Sequence, residues 1–195
     1  MSEVAPTPAR ERILEAASAA FYARGIAPVG VDAVVAESGV AKATLYRHFR
    51  SKDDLVVAFL RRRDERWRDW LSAAVERLAD GPGARPLCVF DALGEWFASK
   101  DYRGCAFINA AAEIAEPDHP ARAAVQDHKR LLGDYLTGLL EAAGSAEPAD
   151  DAGALLLLVE GAIISAVIEG DAAPAGRARL AAARILATSK RGADR

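Results

Sequence analysis

The sequence has little cysteine and no pronounced charge of either sign. Cys88 and Cys105 are the only cysteines among 195 residues. Two cysteines are too few for a disulfide framework, and a chain of this length can bury its own core. Acidic residues number 28 and basic residues 25, which argues against a protein that is basic throughout. The first twelve residues contain no apolar stretch, so the sequence predicts no signal peptide and a cytoplasmic protein.

The sequence also lacks a segment that is long and apolar enough to span a membrane. The longest apolar segment, Ala152–Ile168, has 17 residues and carries Glu160 near its middle. A span through a bilayer needs about 20 predominantly apolar residues. The segment therefore predicts a helix that is buried on several faces, and no membrane partner.

Signatures of catalysis and metal binding are absent as well. The sequence contains no GxSxG, HExxH, P-loop or GxGxxG motif. His119 and His128 are nine residues apart, which places them on opposite faces if one helix holds both. Neither cysteine has a close His or Cys in sequence, although Arg103 could favour a reactive thiolate at Cys105. We therefore expect no catalytic residue, no metal site and no cofactor.

Helix signals dominate what is present. No long run alternates with period two, and Pro and Gly divide the chain into about nine helical segments. The first helix is predicted to begin after an N-cap at Thr7, with Pro8 in its first position, and to end at Gly25. The other predicted segments are 31–38, 42–49, a helix capped by Ser51 that reaches about Leu78, 86–99, 106–114, a helix after Pro120 that ends at Gly144, 148–170 and 175–189. The sequence thus predicts an all-α fold.

Two short amphipathic segments, Val31–Ser38 and Lys42–Phe49, flank Gly39. A tight corner between helices needs a residue that tolerates positive φ, and glycine does so without strain. Val40 and Leu45 would then pack inward. The exposed side of the second helix would carry Lys42, Ala43, Thr44, Tyr46, Arg47 and His48.

This exposed side suits the major groove of DNA, which a helix enters with its N-terminal residues. Lys42 and Arg47 can reach phosphates or guanine, and a methyl group of Ala43 or Thr44 can touch a thymine methyl. Tyr46, like the neighbouring histidine, suits phosphate oxygens. Phe49 fits a position in the protein core at least as well as a contact with DNA.

The distribution of charge along the chain agrees with the prediction of a DNA-binding N-terminal part. Residues 1–63 carry ten basic and seven acidic side chains, whereas residues 64–195 carry a net charge of −6. Lys52 opens the next helix, where a cation and the positive end of the helix dipole could meet one phosphate. The run Arg61–Arg63 either contacts the DNA backbone or forms a solvated helix face. We expect one end of the molecule to face a polyanion.

The string from Gly39 to Lys52, GVAKATLYRHFRSK, resembles the recognition segment of TetR-family regulators. Phe21, the break at Gly25 and the pair Val31-Asp32 fit the same pattern, so the resemblance covers about residues 8–60. Val35 departs from it, because such motifs often carry Ala four residues before the glycine.

The resemblance implies an all-helical homodimer with a three-helix DNA-binding domain at residues 1–55. Residues 56–195 would form a helical domain that dimerises and holds a small-molecule effector. Effector binding would move the connecting helix and release a palindromic operator, and repression follows from the family tendency. By position, the DNA contacts carried over are Lys42, Ala43, Thr44, Tyr46, His48 and Lys52.

The larger domain offers candidates for the effector site and the dimer interface. Apolar and aromatic side chains with a few polar groups favour a ligand pocket, although ordinary core packing explains the same residues. Effector-site candidates are Trp67, Phe90, Trp96, Phe97, Phe107, Asn109, Glu113, His128 and Tyr135. Dimer-interface candidates are Leu156, Glu160, Gly161, Ile164 and Ile168 in the apolar segment, with Leu180 in the last helix.

Glu160 lies inside an apolar helix and needs a partner, which the sequence does not identify. Two other functions compete with the regulator. One is a helical adaptor whose helix pair docks a protein instead of DNA, and the other is an enzyme on a helical scaffold. Binding to double-stranded DNA and its loss on changing Tyr46 distinguish the regulator from both.

Overall fold

A computed structural model describes residues 8–193, with side chains as far as residue 188. Within this range the chain forms helices and no strand, which confirms the predicted all-α class. The predicted N-cap at Thr7 lies outside the described residues. The helices are α1 (Pro8–Arg24), α2 (Val31–Ser38), α3 (Lys42–His48), α4 (Lys52–Leu78), α5 (Arg85–Phe97), α6 (Ala106–Glu113), α7 (Ala121–Ala142), α8 (Pro148–Glu169) and α9 (Ala173–Ala193).

The helix ends follow the predicted breaks with small shifts. Helix α3 stops one residue before its predicted end, because Phe49 is extended at φ −134° and ψ 111°. Helix α5 ends at Phe97, two residues before its predicted end, and α9 begins at Ala173, two residues before its predicted start. Differences of this size are usual at helix ends, where the backbone leaves the helix gradually.

The start of α4 contains the predicted cap. The hydroxyl of Ser51 accepts a hydrogen bond from the Asp54 backbone N–H at 3.0 Å. The Asp54 carboxylate accepts one from the backbone N–H of Arg50 at 3.1 Å. These bonds satisfy backbone donors that the first turn of a helix leaves without partners.

The helices form two compact units. One runs to Glu65 and also includes Ala106–Gln126, and the other consists of Arg66–Cys105 and the residues from Asp127 on. Helices α4 and α7 each contribute to both. The predicted division after residue 55 concerns function rather than compactness, and it stays a prediction.

In the first unit, α1, α2 and α3 are in mutual contact. Ile13, Val34 and Leu45 are fully buried between them. The rings of Phe21 and Phe59 lie 5.6 Å apart, centroid to centroid, which joins α1 to the first part of α4. This core fixes the orientation of α3.

In the second unit, α5, α8 and α9 are in mutual contact. By length and composition alone α8 could cross a membrane. Seven of its residues are nevertheless buried in this unit, among them Leu155 and Val159, which have no exposed surface. These residues place one side of α8 in the core of the second unit.

Candidate nucleic-acid interface

The corner between α2 and α3 is formed by Gly39. Its backbone lies in the left-handed region at φ +63° and ψ 25°, and its N–H donates to the carbonyl of Val35 at 3.1 Å. A side chain other than hydrogen would be strained at this φ, although nothing lies within 4 Å of a Cβ placed there. The predicted role of Gly39 is confirmed.

Helix α3 buries one side and leaves the other accessible. Leu45 is fully buried, while the next residue, Tyr46, is 43% exposed, the one large aromatic side chain so exposed in the described part of the chain. Lys42, Ala43 and Arg47 are exposed, whereas Thr44 and His48 are half-buried. The structure thus places most of the predicted DNA contacts on one accessible face, and their contact with DNA stays a prediction.

Phe49 belongs to the core. It is 3% exposed, and the guanidinium of Arg10 lies over its ring at 5.2 Å from the centroid. The arginine on α1 therefore covers the end of α3 by a cation–π contact. The alternative that Phe49 contacts DNA is not supported by this burial.

Lys42, at the start of α3, forms an ion pair with Asp32 on α2. The Nζ atom lies 2.6 Å from Oδ1. Both side chains are exposed. The hydrogen bond from the ammonium to Asp32 raises the pKa of Lys42. Sequence reasoning assigned a role to Lys42 and none to Asp32, although the ten-residue spacing across a helix corner could have suggested the pair.

Two charged side chains hold the loop between α1 and α2, an arrangement we call the α1–α2 loop clamp. The Glu113 carboxylate on α6 accepts a hydrogen bond from the Ala27 N–H at 2.7 Å. The Lys52 ammonium on α4 donates to the Ala27 carbonyl at 3.2 Å. A Cβ on Gly25, whose φ is +89°, would lie 3.1 Å from Glu113 Oε1.

The α1–α2 loop clamp gives two predicted site residues other partners. Lys52 was expected to contact a phosphate, and Glu113 was expected to line an effector pocket. Each is hydrogen-bonded to the backbone of Ala27, and the predicted roles remain predictions. Sequence reasoning missed the clamp because 86 residues separate Ala27 from Glu113.

The arginine run on α4 is largely occupied by contacts with α1. The Arg63 guanidinium lies over the Tyr22 ring at 3.9 Å from its centroid. Arg62 is paired with Glu11 at 3.0 Å and with Glu15 at 3.2 Å. Arg61 is exposed. The run thus joins α4 to α1 more than it forms a solvated face.

Among the effector-site candidates, four come together in the second unit. Trp67 contacts the rings of Trp96 and His128 at centroid distances of 5.6 and 5.5 Å, and Phe97 lies 5.9 Å from Trp96. Trp70 completes this cluster at 6.3 Å from Trp67. His128 is 2% exposed, and the Trp67 indole N–H is buried without an acceptor among the described residues.

The other effector-site candidates are distributed differently. Phe90 is buried in the second unit, and burial raises the pKa of the Tyr135 phenol there. Phe107, Asn109 and Glu113 belong to the first unit. The nine residues are thus not gathered within one compact unit, and their role in binding an effector stays a prediction.

Among the described residues, two of the cavities lie where sequence patterns offered little or no indication. The larger, in the second unit, has a volume of about 240 Å³ and is mainly apolar, with Ser145 and the buried Asp151 in its wall. None of the predicted effector-site residues lines it. The smaller, of about 30 Å³ in the first unit, is lined in part by Asn109 and Glu113. Sequence patterns gave no signal for the larger cavity because four separate helices surround it.

Helix α8 exposes an apolar stripe. Leu157, Ile164 and Ile168 are 71%, 40% and 78% exposed, at spacings of seven and four that place them on one helix face. Gly161 lies between them on the same face, and Leu180 on α9 is also exposed. The exposed large apolar residues in the described part of these two helices are Leu157, Ile164, Val167, Ile168 and Leu180.

Two of the predicted dimer residues lie elsewhere on α8. Leu156 is half-buried, and Glu160 forms an ion pair with Lys129 on α7 at 2.6 Å. The partner that Glu160 requires is therefore within its own chain. Sequence reasoning missed Leu157 and Val167, although the spacing from Ile164 and Ile168 would have identified Leu157. The dimer interface stays a prediction.

No group of three or more His, Cys, Asp or Glu side chains is placed to hold a metal ion within residues that the structure describes. His119 precedes α7 and accepts a hydrogen bond at Nδ1 from the Ala121 N–H at 3.1 Å. Its Nε2 atom lies 3.4 Å from a carboxylate oxygen of Asp53. This histidine thus connects the start of α7 with α4.

Comparison with known proteins agrees with this geometry. Residues 13–59 match the family described as bacterial regulatory proteins, tetR family. A TetR-family transcriptional regulator from Streptomyces coelicolor is 32% identical in its crystal structure, with 93% of this chain and 95% of that chain covered at a TM-score of 0.84. A putative TetR transcriptional regulator from Streptomyces avermitilis is 31% identical, with 85% and 90% covered and a TM-score of 0.73. The HTH-type transcriptional regulator LmrA of Bacillus subtilis is 24% identical over 85% of this chain and 89% of its own length.

Proposed function

Because this chain belongs to the TetR family of DNA-binding transcriptional regulators, we propose that it binds a palindromic operator as a homodimer, represses transcription there and is released by a small molecule. The observation that carries the proposal is the accessible face of α3. Tyr46 is 43% exposed beside the fully buried Leu45, and Lys42, Ala43 and Arg47 share its accessibility. A tyrosine this accessible on a short helix suits phosphate recognition.

The apolar stripe of α8 supports the dimer. Ile168 and Leu157 are more than two-thirds exposed, and a soluble protein gains by covering such a row of large side chains. A two-fold interface brings the same stripe of two chains together. Two recognition helices related in this way read half-sites about 34–36 Å apart, which is one turn of DNA.

The second unit supports a small-molecule effector. The Trp67 indole N–H is buried without an acceptor in the described part of the chain, and a ligand oxygen or nitrogen could satisfy it. An effector must bind the DNA-competent and the released states with different affinity, since otherwise it shifts nothing. A regulator of this kind acts in the cytoplasm and needs no catalytic residue, metal or cofactor.

Selection of the purified protein against a random pool of DNA duplexes tests the operator. The expected product is a near-palindrome that binds two chains, with affinity that falls steeply as salt rises. Tyr46→Ala should weaken DNA binding at least tenfold. Tyr46→Phe keeps the ring and removes only the hydroxyl, so it measures what the hydroxyl contributes to binding. If no duplex is enriched at low salt, the protein-binding adaptor becomes the better explanation.

The dimer is tested independently by replacing Ile168 with Glu, which places a charge in the apolar stripe. Light scattering should then report a monomer, and circular dichroism should show that this monomer keeps its helices. The control is Ala111→Glu, which places the same charge on the exposed side of another helix, α6. Equal oligomeric state in wild type and Ile168→Glu would contradict an interface at this stripe.

A further inference from the structure

We propose that Asp32 is a specificity-determining residue of the DNA interface, because its carboxylate holds the Lys42 ammonium and thereby lowers affinity for non-cognate DNA. The inference rests on the proposed function. A duplex must replace the carboxylate with a phosphate to recruit Lys42, and only a well-docked operator offers a phosphate in the right place.

The geometry of the pair makes such an exchange possible. Lys42 Nζ and Asp32 Oδ1 are 2.6 Å apart, but the Asp32 side chain is 80% exposed and that of Lys42 is 53% exposed. Ion pairs in this degree of contact with solvent are weak, since water and salt compete for both charges. The pair can therefore hold Lys42 in free protein and yield to a phosphate.

The other acid on α2 does not share this role. Glu37 is paired with Arg24 on α1, with 2.5 Å between the nitrogen and the carboxylate oxygen. Asp32 is thus the acid of α2 that is paired with the recognition helix. When Lys42 turns to a phosphate, the Asp32 carboxylate is left without this cation beside a polyanion, and only a duplex that places a phosphate within reach of Lys42 offsets that penalty.

Neutralising Asp32 should therefore release one additional cation for phosphate binding. Each phosphate contact steepens the fall of log affinity with log salt by about 0.9 on duplex DNA. On a random-sequence duplex, the Asp32→Asn protein should accordingly lose roughly 3.5-fold more affinity than wild type between 50 and 200 mM salt. Affinity for a random-sequence duplex should rise several-fold at low salt, and the ratio of operator to random-sequence affinity should fall.

The experiment compares wild type, Asp32→Asn, Lys42→Ala and the double variant on one random-sequence duplex and on the selected operator. The effect of Asp32→Asn should vanish when Lys42 is alanine. Glu37→Gln is the matched control, because it removes the same charge from the same helix without freeing Lys42. Asp32→Ser supplies a second neutral side chain, and circular dichroism verifies that each variant is folded.

Any of these results would overturn the inference: an unchanged salt slope of Asp32→Asn on the random-sequence duplex, an equal effect in the Lys42→Ala background, or an equal effect of Glu37→Gln. Failure of the proposed function looks different, since wild type would then bind neither duplex. If wild type selects an operator and Asp32→Asn discriminates as well as wild type does, this inference alone is wrong.

Discussion

Replacing Glu113 with alanine is expected to loosen the α1–α2 loop clamp. The change removes the acceptor of the Ala27 N–H, whose hydrogen bond to the carboxylate is 2.7 Å long. A hydrogen bond to a charged group contributes about 1.5–3 kcal/mol, but this one is exposed, so water can replace the acceptor. We therefore expect a loss of about 1 kcal/mol in the free energy of unfolding, which is roughly 2–4 °C in Tm for a chain of this size.

Amide hydrogen exchange is the most direct assay, because it reads the Ala27 N–H itself. A loss of about 1 kcal/mol corresponds to roughly fivefold faster exchange at this amide. Glu113→Gln is the control, since the amide oxygen still accepts a hydrogen bond although it carries no charge. Its exchange rate should lie between those of wild type and Glu113→Ala.

If Glu113→Ala leaves the exchange of the Ala27 amide as slow as in wild type, the Glu113 carboxylate does not protect this amide. Removal of Lys52 offers a comparison within the same clamp, because it releases the Ala27 carbonyl rather than the N–H. Lys52→Ala should therefore alter loop mobility without removing the acceptor of the Ala27 amide. Accelerated exchange across the whole chain would indicate global destabilisation instead.

Two further predictions concern the backbone and a thiol. Gly39→Ala should destabilise the protein by about 1–2 kcal/mol because an L-residue is strained at φ +63°, whereas the same change at Gly138, exposed within α7, should stabilise it by up to about 1 kcal/mol. Equal signs in thermal unfolding would contradict this. Burial raises the pKa of the Cys88 thiol, so iodoacetamide should modify Cys88 more slowly in native than in unfolded protein, as mass spectrometry can follow. The stability that comes from burying the neutral Cys88 thiol is complete below the ordinary thiol pKa of 9.0, and it is lost as pH rises through the raised pKa of the folded protein. Labelling of Cys88 as fast in native as in unfolded protein would contradict this prediction.

The helical fold and the corner at Gly39 could be predicted because their causes are local. Helix ends depend on Gly, Pro and capping side chains within a few residues, and the burial of Leu45 beside the exposed Tyr46 follows from helical periodicity. The structure differs from these predictions by one or two residues at helix ends, except that α9 continues to Ala193, four residues beyond its predicted end.

Long-range partners could not be predicted, because no spacing rule relates them. The Lys129–Glu160 ion pair joins two helices, and the hydrogen bond from the Ala27 N–H to Glu113 joins a loop to a helix 86 residues away. A side chain that suits a pocket by composition equally suits an ion pair or a loop contact. Only the packing of the helices decides between them.

The clustered indoles of the second unit have a spectroscopic consequence. Trp67, Trp70 and Trp96 are the only tryptophans in the sequence, and each lies within 6.3 Å of the other two, between ring centroids. Fluorescence excited selectively through indole therefore reports one place in the molecule, with energy exchanged among three neighbouring emitters. A compound that enters this aromatic cluster should change the tryptophan emission without any label. Helix α3, where DNA is proposed to bind, contains no tryptophan.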